Sequence, residues 1–137
     1  MKTNLAKILS VSGHHGLYRY VAQARGGAIA ETLSEGKRTV IDSRSRISTL
    51  ADISIYTAEG EMPLKDVFLA LKAHLGDAAA PGSKSDDATL KALFAAAIPN
   101  YDSDRFYVSH MRKVVDWYNE LAQFASLDFE DEQEAEN

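Results

Sequence analysis

The sequence predicts an α+β protein: a small, strongly curved N-terminal β-sheet or SH3-like barrel over residues 1–60, then a helical part of about three helices over residues 63–125. Three observations carry this. Apolar residues alternate with a period of two before Thr57, the mark of half-buried strands. From Pro63 onward the period becomes 3.6. Finally, Pro63, Gly76 and Pro99 punctuate the second half at helix-length intervals.

Leu5 to Val11 precedes Gly13 and reads as a first strand or a short helix. Leu17 to Gln23 sets Leu17, Arg19 and Val21 against Tyr18, Tyr20 and Ala22. Gly26-Gly27 is a turn signal, and Ala28 to Leu33 follows as a second run. Ser34-Glu35-Gly36-Lys37 turns the chain into Arg38 to Ile41. Ile47 to Tyr56 is broken by a short turn at Leu50-Ala51-Asp52, leaving Ile53 to Tyr56 as the last strand. Closure would hide the edges of so small a sheet. Beyond Pro63, Leu64, Val67, Phe68, Leu71 and Leu75 form one helical stripe that stops at Gly76. Residues 77–85 form a loop. Asp86 or Ser85 then caps a second helix with Leu90, Leu93, Phe94 and Ala97 inward. A third and longer helix starts near Ser103, with Tyr107, Met111, Val114, Tyr118 and Leu121 on its core face. Trp117, embedded in that run, is expected to be largely buried.

A chain of 137 residues with 45% apolar and 26% charged residues can build a core without metal or disulfide. It has no cysteine, which excludes disulfides, iron–sulfur clusters and thiol catalysis. No apolar run reaches the roughly 20 residues of a membrane helix, so no membrane role is expected. The apolar run near the N-terminus is interrupted by Lys7, Ser10 and Ser12 and lacks a cleavage signal, which points to a cytoplasmic protein. The net charge of −5 is uneven: residues 1–62 carry +2, residues 63–125 carry −1 and residues 126–137 carry −6. The last segment reads as a disordered acidic tail.

Three stretches together resemble a family of uncharacterised conserved proteins from Bacteroidetes. They are Ile8 to Gly13 with Gly16-Leu17-Tyr18, then Ser48 to Thr57 with its Ala-Asp-Ile-Ser-Ile-Tyr-Thr word, then Pro99 to Leu121 with Pro-Asn-Tyr-Asp. The similarity spans nearly the whole chain except the 77–85 loop and the tail. It implies a two-part architecture and carries over no catalytic residue. Where the family pattern has a basic residue and proline between Gly13 and Gly16, this chain has His14-His15.

No motif carries a chemistry. His14, His15, His74 and His110 lack metal-ligand spacing, and no metal site is expected. Ser10, Ser12 and His14 with Asp42 or Asp52 lack the strand–elbow–helix context of a hydrolase. The glycines fit no phosphate loop. No catalytic residue, cofactor or enzymatic activity is therefore expected. The candidate binding residues are basic: Arg19, Arg25, Lys37, Arg38, Arg44 and Arg46, with Tyr18 and Tyr20 beside them. Curled strands would gather them into one face able to hold a partner or nucleic acid, whereas interspersed Glu31, Glu35 and Asp42 favour an ordinary solvated face. Asp102 and Asp104 read as helix-start acids. The leading expectation is a non-enzymatic binding or adaptor protein that engages a protein partner. The alternative is an RNA- or DNA-binding module using the basic β face, and a homo-oligomer is compatible with either.

Overall fold

A computed structural model describes residues 3–13, 16–42, 44–82 and 84–129. Among them the strands are β1 (Ile8–Val11), β2 (Leu17–Ala24), β3 (Gly27–Thr32), β4 (Arg38–Asp42), β5 (Ile47–Thr49), β6 (Ser54–Thr57) and β7 (Gly60–Pro63). The helices are α1 (Leu64–Leu75), α2 (Asp87–Ala97) and α3 (Val108–Phe124). Short 3-10 turns precede β1 and β6, the second at the Leu50–Asp52 turn expected from sequence.

The first five strands form one antiparallel sheet in the order β4-β3-β2-β1-β5, and β6 and β7 form a separate hairpin. The sheet is not a closed barrel, because β4 and β5 are its two edges. It is nonetheless strongly curved. Four residues connect these edges, and the Ser45 N–H donates to the Asp42 carbonyl at 2.9 Å, so part of the link is spent in a turn. A flat sheet would hold β4 and β5 about 19 Å apart, more than the remaining link can span. Curling also puts Ile41 of β4 into one apolar cluster with Leu9 and Val11 of β1, together with Tyr18 and Ala30. A bulge between Tyr20 and Ala22 interrupts the alternation of β2 and adds to the bend.

The opposite face of this sheet joins the helices. Leu5, Ile8, Leu17 and Leu33 share a core with Leu64, Phe68, Leu71, Leu90, Phe94, Met111, Val114, Val115, Tyr118 and Leu121. The stripes read from sequence on α1 and α2 are buried except at their last residues, Leu75 and Ala97, which are half-buried. The Asp86 carboxylate caps α2 by accepting the Thr89 N–H at 2.8 Å. A hydrogen bond from the Thr89 side chain, together with that backbone bond, lowers the Asp86 pKa from its ordinary value. Asn119 holds the 77–85 loop by a two-way bond, accepting from the Ala80 N–H at 2.9 Å and donating to its carbonyl at 3.1 Å.

Three expectations need correction. The third helix begins at Val108, not near Ser103. Asp102 spends its carboxylate on the Asp104 N–H, at 2.9 Å, and on Arg105 Nε, also at 2.9 Å, which closes a turn before the helix. Tyr107 is therefore outside the core face, 55% exposed, and Phe106 takes its place against Phe94 and Tyr101. The acidic tail does not begin at residue 126. Thr3 donates its N–H to the Asp128 carbonyl at 2.8 Å and its hydroxyl to the Ser126 carbonyl at 2.8 Å. Phe129 is buried and stacks on Phe68 with ring centres 5.9 Å apart. The rest of the expected tail, residues 130–137, lies outside the described residues.

Candidate functional site

The register of the sheet decides where the basic residues go. Arg19 lies opposite Glu31, which lies opposite Arg38. Glu31 therefore meets both cations, at 3.3 Å from Arg19 and 4.0 Å from Arg38. Lys37 is 3.4 Å from Glu35. Arg25 sits in the β2–β3 turn, and Arg44 and Arg46 sit in the β4–β5 link. The pairing of Gly27 with Asp42 puts these three at the same end of the sheet. The basic set is thus divided into a group interleaved with acids and a group at one sheet end. Tyr18 is buried in the small apolar cluster, whereas Tyr20 stays 37% exposed.

The helical half makes a better-formed concavity. On α3, His110, Lys113, Val114 and Trp117 follow the i, i+3, i+4, i+7 spacing that aligns them on one face. Facing them is β6 with Ile53 before it, and the two walls enclose a groove of about 270 Å³. Leu64 and Phe106 also line it. Tyr56 lines it from β6 and is 39% exposed. The Arg105 guanidinium lies 4.5 Å above the Tyr56 ring centre, a cation–π contact at the groove mouth. Hydrogen bonds from the Arg105 side chain and the Asp104 N–H hold the Asp102 pKa below its ordinary value. His110 accepts the Tyr107 N–H on Nδ1 at 3.1 Å and lies parallel to the Phe106 ring. Its other ring nitrogen does not take part in that bond. Lys113 is exposed and has no ion pair among the described residues. No Asp or Glu lines the groove.

Trp117 is largely, though not fully, buried. It packs on the core with one side and forms a wall of two clefts with the other. The second cleft, about 420 Å³, runs from Trp117 and Lys113 to Ser10, Ser12, Gly13 and Gly16. Here Glu120 binds the Leu17 N–H with both carboxylate oxygens, at 2.6 and 3.1 Å. Gly16 has φ of 89°, and a Cβ there would come 3.2 Å from the Glu120 oxygen. That cleft is a clamp between helix and sheet. His14 and His15 lie outside the described residues. Asp42 and Asp52 are engaged locally, by the Arg44 N–H at 2.8 Å and by the Thr49 hydroxyl at 2.6 Å. A third hollow gathers Glu59, Glu61 and Asp66, yet no set of three or more such side chains among the described residues is arranged to hold a metal.

Residues 53–121 match the model of a domain of unknown function, DUF6852. Residues 5–50 match another domain of unknown function, DUF5606. The chain belongs to this DUF5606–DUF6852 family. The two matches divide it at the 3-10 turn before β6, so the β6–β7 hairpin goes with the helices. The hydrogen bonds agree: the Tyr56 carbonyl accepts the Asp102 N–H at 2.9 Å, and Ala58 donates to Asn100 at 2.8 Å. Every residue lining the Trp117–β6 groove lies in the DUF6852 part, whereas the Glu120 cleft joins the two parts. The fold is similar to a solution NMR structure from Bacteroides vulgatus, a Northeast Structural Genomics Consortium target. The TM-score is 0.74 at 34% sequence identity, over 89% of this chain and 87% of that one. No curated protein matches the chain. Among the described residues, no helix of this family member is long and apolar enough to cross a membrane.

The groove residues were not among the sequence candidates. Tyr56 and Arg105 are far apart in sequence, and their segments are brought together by the Tyr56–Asp102 and Ala58–Asn100 backbone bonds. The His110, Lys113 and Trp117 row flanks the core face of α3, to which Val114 belongs.

Proposed function

We propose that the chain is a non-enzymatic, cytoplasmic protein-binding module that holds its partner in the groove between β6 and α3. The observation that carries this reading is Trp117, a large aromatic left partly exposed in a concavity that no Asp or Glu lines and where Lys113 has no ion pair among the described residues. Trp, Tyr and Arg anchors of this kind dominate binding energy at protein interfaces. The small groove volume suits one or two anchoring side chains of a larger partner. The test is affinity capture from the native cell with the full chain and with Trp117→Ala, with and without nuclease. A partner retained after nuclease and lost with Trp117→Ala supports the reading. Capture that is nuclease-sensitive, or equal for both chains, overturns it.

The second reading is RNA or DNA binding by the N-terminal basic face. Arg25, Arg44 and Arg46 favour it, being gathered at one end of the sheet. Glu31 and Glu35 weigh against it by taking up Arg19, Arg38 and Lys37.

A further inference from the structure

The free edge of β6 says what shape of partner the groove accepts. The Leu64 N–H donates to the Ile53 carbonyl at 3.0 Å, and Ser54 pairs with Pro63, Ile55 with Met62, Tyr56 with Glu61 and Thr57 with Gly60. Hydrogen-bonded and non-bonded pairs alternate along an antiparallel ladder. Ile53, Ile55 and Thr57 therefore turn their backbone groups toward β7, and Ser54 and Tyr56 turn theirs away. Pro63 fits this register, since its missing N–H falls at a non-bonded pair.

On its outer side β6 is only half covered. Tyr101 forms an antiparallel bridge with Thr57, and the Asp102 N–H takes the Tyr56 carbonyl. The Ser54 N–H and carbonyl and the Tyr56 N–H have no protein partner among the described residues, and both residues are exposed. Ser54 and Tyr56 line the groove, with the Lys113–Trp117 face of α3 on the far side.

We propose that this groove takes an extended, acidic segment of a partner protein, which adds as a strand to β6 at Ser54 and Tyr56. The inference rests on the protein-binding reading and deepens it. An unpaired strand edge is a template for another strand, and an edge beside a helix gives main-chain bonds for affinity and pockets for alternate side chains. The charge selects the sign. Lys113 lines the groove with no ion pair among the described residues, Arg105 beside it is already paired with Asp102, and no acid lines the groove, although the whole chain carries a net −5. Alternate side chains of the added strand would meet Trp117 in one register and Lys113 in the other.

The test selects short random displayed peptides on the full chain, then resynthesises the best one. The expected sequence is acidic with apolar residues at alternate positions. N-methylation of alternate peptide bonds should abolish binding in one register and spare it in the other, a pattern a helical ligand cannot give. Lys113→Glu, a surface change, should weaken binding about tenfold, the loss of one charge-assisted contact. The Ser54 and Tyr56 amide NMR signals should move on titration. Peptides with no acidic bias, equal sensitivity to both methylation sets, or shifts confined to Ser12 and Glu120 would overturn the proposal. If a natural partner still depends on Trp117 but ignores Lys113→Glu, the added acidic strand fails while the protein-binding reading stands.

Discussion

Glu120 of α3 holds the backbone N–H of Leu17 in β2 with both carboxylate oxygens, at 2.6 and 3.1 Å. This bond crosses between the two family-model regions and lies beside the core they share. Removing it leaves a part-buried N–H without that acceptor. Glu120→Ala should lower stability by about 1–3 kcal/mol. Glu120→Gln keeps an acceptor oxygen and should lose less. Urea melts of both variants, compared at equal slope, check this. Equal losses would mean that charge, not the hydrogen bond, carries the clamp.

The Tyr118 ring is buried, with its centre 6.3 Å from that of Phe68, and its hydroxyl has no hydrogen-bond partner among the described residues. An unmet buried hydroxyl costs free energy, so Tyr118→Phe should be neutral or stabilising by about 1 kcal/mol. Burial also raises the phenol pKa above its ordinary value of 10.0. The folded state then holds this proton more tightly than the unfolded state does. Stability linked to Tyr118 is complete below the unfolded value and is lost as pH rises above it. The wild-type chain should therefore lose more stability than Tyr118→Phe between neutral pH and about pH 11. Melting temperatures across that range measure the difference. Parallel curves for the two chains would show that Tyr118 does not titrate differently on folding.

Thr3 and Phe129 bring the two ends of the described chain together. Thr3 bonds Ser126 and Asp128, and Phe129 stacks on Phe68 over the core. Phe129→Ala should cost about 3 kcal/mol, the lower range for a buried aromatic. Phe129→Leu should recover most of that. A thermal scan separates the outcomes, and an unchanged melting point for Phe129→Ala would place the ring off the core in solution.

Much of this fold was legible because its signals are local. The Leu64–Val67–Phe68–Leu71 stripe and the Asp86 cap need only neighbouring residues to be read. The start of α3 was misread because Asp102 has two local options, a helix cap or an Asx turn, and the Arg105 contact favours the turn. β7 was not read at all: Gly60-Glu61-Met62-Pro63 has weak strand propensity and is fixed by pairing with β6. The groove was illegible for a related reason. Its strand wall and its helix wall lie about fifty residues apart in sequence, and the openness of Trp117 depends on how far the surrounding chain covers it.

The basic face supplies the remaining discrimination. Phosphate binding releases counterions, so log affinity falls linearly with log salt. If all of Lys37, Arg38, Arg44 and Arg46 met phosphates, the slope would be near −3.6 on B-DNA and near −2.8 on a single strand. The structure takes Lys37 and Arg38 into contacts with Glu35 and Glu31. What remains is Arg44 and Arg46 with Arg25 at the same sheet end, or about three contacts and a single-strand slope no steeper than roughly −2. Affinity should then stay in the weak, non-specific range, and replacing these three arginines by glutamine should flatten the slope. A peptide held in the β6–α3 groove would depend on Trp117 and leave those arginines untouched. Single-stranded RNA titrations at several salt concentrations, on the wild-type and the three-arginine variant, check this. Sub-micromolar binding with a slope near −2.8 would mean that Glu31 and Glu35 release their cations to phosphate, and would put nucleic acid ahead of a protein partner.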